Sequence, residues 1–197
     1  AILMQSVLSF MTVFMNMILA SFSALAISVF SVYYKLQQFV NMAVLGITNA
    51  LIPILSYNYG AKRDDRVKEA IHFSLALSIG IMFVGTVIFQ LFPRQLMSMF
   101  SANSEMYSIG MPALKEISLS FVFAGISMIL CSCFQALNHA NESLWITLGR
   151  QLVILLPITY FLMHTFGMNA GWYAFVITEI ICALASIIIW KKITKVL

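Results

Sequence analysis

The chain has 197 residues, of which 61% are hydrophobic and only 9% charged, with a mean hydropathy of +0.96. Soluble domains carry about a quarter charged residues, so this composition excludes an ordinary soluble fold and points to an all-α integral membrane protein. The formal net charge is +4, but the basic residues cluster beside apolar runs, which speaks for helix orientation rather than nucleic-acid binding.

A membrane helix needs roughly 20 apolar residues to cross about 30 Å of hydrocarbon. The chain opens on Ala1 inside an apolar run with no signal-peptide pattern, so it is expected to begin part-way through a longer protein. Up to Asn58 the one charge is Lys35. A single helix of that length would run about 85 Å, so two spans are expected, at 2–20 and 24–56, broken at Ala20-Ser21-Phe22-Ser23. The polar stretch Gly60 to Glu69 follows, and its Asp64 and Asp65 suit a helix N-terminus. Span three is expected at 67–91, before Pro93. Residues 93–106, with Arg94, Ser101 and Glu105 among apolar neighbours, read as an interfacial turn and loop. Span four is expected at 111–137 and the loop Asn138 to Ser143 closes it. Span five, 144–164, contains Pro157, which membrane helices tolerate. Span six is expected at 170–190, and Lys191, Lys192 and Lys195 end the chain.

These spans form one six-helix unit whose loops alternate sides. One side collects Lys62, Arg63, Arg66, Lys68, Lys191, Lys192 and Lys195, against Arg94 and Lys115 on the other. That bias predicts a multi-pass protein of the plasma (bacterial inner) membrane with a cytoplasmic C-terminus.

Polar residues inside apolar spans are the informative ones. Ser31, Tyr34, Lys35, Gln38, Asn41 and Asn49 fall within about 60° of Gln38 on one helix face. Lipid cannot satisfy such a stripe, so it is expected to bond other helices or line a cavity. Arg150 in span five and Glu179 in span six are deep enough to pair or to serve a pathway. The candidate substrate-cavity residues are therefore Tyr34, Lys35, Gln38, Asn41, Arg150 and Glu179. Glu116 reads as interfacial. Gly80, Gly85 and Gly125 are places where helices could approach closely. Cys131 and Cys133 point about 200° apart on a helix and, with Cys182, read as packing residues. His72, His139 and His164 lack partners at ligand spacing, so no metal or cofactor is expected. Hydrolase, metalloprotease and nucleotide-binding motifs are absent, which argues against an enzyme.

Residues 49–61 read Asn-Ala-Leu-Ile-Pro-Ile-Leu-Ser-Tyr-Asn-Tyr-Gly-Ala, followed by Lys62-Arg63-Asp64-Asp65-Arg66. This resembles the end of helix eight and the basic loop after it in the MATE family of multidrug and toxic-compound extrusion transporters, of the MOP superfamily. Phe92-Pro93, Met99-Phe100, Gln135-Ala136-Leu137, Leu148-Gly149-Arg150-Gln151 with Pro157, and Gly171-Trp172 match further pieces in order. The resemblance implies the C-terminal lobe, helices seven to twelve, of a twelve-helix antiporter, with the N-terminal lobe missing. It implies export of small cationic or amphipathic compounds against a proton or sodium gradient. Span one has no acid and span four has only Glu116, a departure from the sodium-coupled branch that leaves the coupling ion open. Alternatives are a lipid-linked oligosaccharide flippase of the same superfamily, or a remnant that does not transport. Expected partners are membrane lipid, the transported compound, and a missing lobe or second copy, but no nucleic acid.

Overall fold

The computed structural model describes residues 2–100 and 102–194. Ser101 and Lys195, used in the readings above, lie outside the described residues. Among the described residues the chain is helical with no strand: α1 (Ile2–Ala20), α2 (Ala24–Gly60), α3 (Asp64–Leu91), α4 (Pro93–Ser98), α5 (Ser104–Ser118), α6 (Phe121–Ala136), α7 (Ala140–Leu148), α8 (Leu155–Phe166) and α9 (Tyr173–Thr194). A π-helical turn, Gly149–Ile154, joins α7 to α8, and a 3-10 turn, Met168–Trp172, leads into α9.

Local chemistry sets the boundaries. The Ser23 hydroxyl caps α2 by accepting from the Leu25 N–H at 3.1 Å. The Asn103 carboxamide oxygen caps α5 by accepting from the Met106 N–H at 2.8 Å. Asp64 and Asp65 occupy the first turn of α3, where their charge meets the helix dipole; the cap position itself is Arg63 and has no side-chain bond. Two helices end on left-handed residues, Lys62 (φ 56°) and Asn138 (φ 64°). In each case the next N–H reaches back five residues, Arg63 to Asn58 at 2.9 Å and His139 to Phe134 at 2.7 Å. These are Schellman closures, and asparagine tolerates the left-handed region better than lysine does.

Four helical stretches are long and apolar enough to cross a membrane: 24–60, 64–91, 140–166 and 168–194. A fifth is the pair α5 and α6, bent by 47° at their junction. The sequence pattern reads that region as one straight span over 111–137. The bend is held by α3: the Thr86 hydroxyl donates to the Ser118 carbonyl at 2.9 Å, and the Gln90 amide donates to the Lys115 carbonyl at 2.7 Å. These are acceptors near the break, so its backbone is satisfied from a neighbouring helix. The described apolar part of the first helix, Ser6–Ala20, is shorter than a full span.

The packing places α6 at the centre, against α2, α3 and α9. Gly125 lets α6 approach α3, and Gly85 lets α3 approach α2. A Cβ on Gly85 would meet Val40 at 2.8 Å, and one on Gly125 would meet Ser78 at 2.8 Å and Met82 at 2.9 Å. Gly80 is different: a Cβ there would meet open space, so it is not a point of close helix approach. It lines a shallow apolar groove with Phe73, Leu77 and Val84. The interior is filled by Phe30, Tyr33, Phe121, Phe134 and Trp172, all almost fully buried. Phe10, Phe14, Phe73, Phe83, Trp145 and Phe161 lie on the outside. Contiguous outward apolar surface on this scale suits lipid rather than water.

Candidate functional site

On α2, Tyr34, Gln37, Gln38, Asn41 and Leu45 fall within an arc of about 100° by helix geometry. Together with Arg150 and Gln151 of the π turn and Thr178 and Glu179 of α9, they line a cavity of about 170 Å3. Leu8 and Met11 of α1 and Ala124 and Met128 of α6 close its apolar side.

Arg150 reaches this cavity from an irregular turn. Pro157 has no N–H to give the Val153 carbonyl, and the hydrogen-bond ladder ahead of it runs in π register over Gly149–Ile154. A π turn widens the helix locally, and such turns recur at functional sites. From it, Arg150 Nη1 lies 3.5 Å from Glu179 Oε2. That is an ion pair without a close hydrogen bond: Glu179 Oε2 and the buried Thr178 hydroxyl have no hydrogen-bond partner among the described residues. Buried polar atoms left in this state need water or a ligand.

A second polar cavity, of about 260 Å3, continues along α2 through Thr48, Asn49 and Ile52. Ser127, Cys131, Ser132 and Gln135 of α6 and Thr147 near the end of α7 complete it. Leu45, Met128 and Arg150 belong to the walls of both cavities. Drug-sized sites run to about 300–1,000 Å3, and a water occupies about 30 Å3. Each cavity on its own therefore matches a few waters or a small cation.

Of the residues singled out in the sequence, the structure brings Tyr34, Gln38, Asn41, Arg150 and Glu179 to one cavity. Lys35 is not in its lining. It is exposed, with Nζ 5.9 Å from the Phe100 ring centroid, a cation–π contact. Gln37, Gln151 and Thr178 line the cavity and went unrecognised in the sequence. Gln37 lies about 100° round the helix from Gln38, outside the arc considered. Gln151 and Thr178 are chain neighbours of Arg150 and Glu179, and that adjacency was the available signal.

The other candidates have local roles. His139 Nδ1, at the cap of α7, sits 3.1 Å from Glu142 Oε1 in its first turn, and that hydrogen bond holds the Glu142 carboxyl below its usual value. His164 packs on Phe22 and Tyr160. The described residues contain no group of three or more His, Cys, Asp or Glu arranged to hold a metal ion.

A family model described as MatE matches residues 1–161 of the chain. The chain belongs to the MatE family. Members of the family are membrane transporters, not enzymes. Among curated MatE-type relatives, the multidrug export protein MepA of Staphylococcus aureus (strain MSSA476) is 24% identical over 190 residues, covering 96% of this chain and 42% of MepA. MepA of Staphylococcus saprophyticus is 24% identical over 189 residues, with the same coverage of 96% and 42%. The fold is similar to that of a point mutant of the Vibrio cholerae MATE transporter VcmN, with a TM-score of 0.92 at 22% identity over 99% of this chain and 44% of VcmN. A MOP-superfamily transporter from Pyrococcus furiosus gives a TM-score of 0.89 at 19% identity, over 98% of this chain and 44% of its own. The chain thus spans less than half the length of the MatE relatives it matches, and the all-α bundle has the fold of one lobe of a MATE transporter.

Proposed function

We infer that this chain acts as the C-terminal half of a multidrug and toxic-compound extrusion transporter, exporting small cationic or amphipathic compounds by antiport against protons or sodium ions. The observation that carries the reading is the buried Arg150–Glu179 pair in a polar cavity, inside a lobe of this family's fold. Alternating access needs two bundles that rock against each other, so a first lobe or a second copy of the chain is the proposed partner. Tyr34, Gln38, Asn41, Arg150 and Glu179 form the polar wall of the proposed substrate site, which the partner lobe enlarges to hold a drug-sized molecule. Lys35 stands on the exposed face of α2, outside the cavity. The proposed site is the bacterial inner membrane, with lipid around the bundle; the Lys and Arg bias supports a cytoplasmic C-terminus.

The flippase reading fits less well. A diphosphate headgroup needs uncompensated cations, and Arg150 is already matched by Glu179. The test is ethidium efflux from cells expressing the chain with its proposed first lobe, with and without a protonophore. Efflux above the vector control that collapses with the ion gradient supports antiport. Efflux no faster than the control removes the transport reading.

A further inference from the structure

The two cavities follow one face of α2 from Tyr34 to Ile52, and Arg150 stands in the wall of both. Both are lined by amides and hydroxyls: Gln38 and Asn41 on one side of Arg150, Asn49, Ser132 and Gln135 on the other. Gln135 donates to the Ser143 hydroxyl at 3.0 Å, and His139 follows at the loop, so the second cavity runs toward the polar end of the bundle. A polar track through an apolar bundle is thus interrupted by one guanidinium, which Glu179 holds in place at 3.5 Å.

We propose that Arg150 is a charged gate between two water-filled halves of this track, and that Glu179 is the proton acceptor that opens it. The proposal rests on the transport reading above and names its coupling ion as a proton. A proton arriving through the first cavity adds to a Glu179 carboxylate oxygen and converts it to a neutral acid. The pair then changes from net zero to net +1, the attraction holding Arg150 is lost, and its side chain is released from its place between the two cavities. The two halves join while the acid is protonated and separate again when it releases the proton to the second cavity. Among the described side chains α1 presents no charged residue, and α2, α6 and α9 face the pair with Tyr33, Tyr34, Cys131 and Cys182; Glu116 of α5 and Glu142 of α7 are not in the lining of either cavity. Water-sized volumes suit a proton relay, and the Thr178 hydroxyl, buried and unpartnered beside Glu179, offers it a further polar atom.

The test uses the full chain in lipid vesicles with no transported compound present, so its failure leaves the efflux result untouched. In a background with Cys131, Cys133 and Cys182 replaced by Ser, Gln38→Cys reports on the first cavity and Asn49→Cys on the second. Silver ion is added from the side on which Asn49→Cys reacts. The ratio of the Gln38→Cys rate to the Asn49→Cys rate cancels the pH dependence of the thiols. Above the Glu179 midpoint this ratio should rise about tenfold for each pH unit of acidification, following the protonated fraction. With Glu179→Gln it should be high at every pH. The double variant Arg150→Ala with Glu179→Gln carries no unpaired charge and should also stay open, which covers misfolding of the single variant. Infrared difference spectra should show a protonated-carboxyl band that grows with acidification and is missing in Glu179→Gln. A pH-independent ratio in the chain with Glu179 intact, or the absence of that band, overturns the proposal.

Discussion

Arg150 and Glu179, 29 positions apart in sequence, meet across the π turn and α9 with Nη1 and Oε2 3.5 Å apart and side chains only 20% and 14% exposed. A buried pair contributes less than its Coulomb attraction because both ions lose hydration. Removing one partner is worse, since the other charge then stays buried alone.

Glu179→Gln or Arg150→Gln should each destabilise the bundle by about 3–5 kcal/mol at the dry limit, and by less here because the pair borders a polar cavity. The double variant should recover most of the loss. A double-mutant cycle on thermal unfolding in detergent checks this. Additive losses in the double variant would mean that the two side chains do not interact.

Gly125→Ala should destabilise by about 1–3 kcal/mol, the cost of overpacking a filled contact, because the new methyl meets Ser78 and Met82. Gly80→Ala should be neutral or raise stability by up to about 1 kcal/mol, since its site is open and alanine favours helix. The pair of melting curves tests the packing directly, because both glycines lie inside membrane helices and only their neighbours differ.

Lys35→Met should change stability by no more than about 1 kcal/mol, the usual scale of an exposed cation–π contact. Its side chain is exposed and outside the cavity, and only the Phe100 ring stands over it. The unfolding midpoint of Lys35→Met in detergent should shift only slightly. A large loss would place Lys35 in a buried network.

The His139–Glu142 pair gives a pH prediction. The hydrogen bond from His139 depresses the folded-state value of the Glu142 carboxyl below 4.5. A group with a depressed value stabilises the fold fully above its unfolded value and ceases to do so as pH falls through the folded one. The stability difference between the chain and Glu142→Gln should therefore be constant above about 4.5 and shrink below it. Melting temperatures of both proteins across the acidic range measure the difference, and a gap that widens with acid would contradict the assignment.

Much of this architecture is legible in composition and charge, because a bilayer forces long apolar runs into helices. The break before α2 is visible at Ser23, which proves to be the cap. The depth of Arg150 and Glu179 along their runs was enough to suggest a pair. What escapes is rotational detail. On α2 the cavity arc is centred about 45° to one side of Gln38, so Gln37 falls inside it and Lys35 about 100° away, although the polar stripe includes Lys35 and omits Gln37. The bend between α5 and α6 depends on donors from Thr86 and Gln90, which lie some 30 positions earlier and carry no local mark.

The π turn at Gly149–Ile154 bears on how this segment tolerates length changes. A turn in π register takes up about one residue more than an α turn. The flanks, Ala140–Leu148 and Leu155–Phe166, continue on either side of it as α-helix. Loss of one residue inside the turn would leave a regular helix with both flanks unmoved, whereas the same loss elsewhere in the bundle would swing half a helix by about 100°. Among the described residues, the π turn that carries Arg150 is thus where a single-codon deletion would spare the packing of the flanks and erase the bulge.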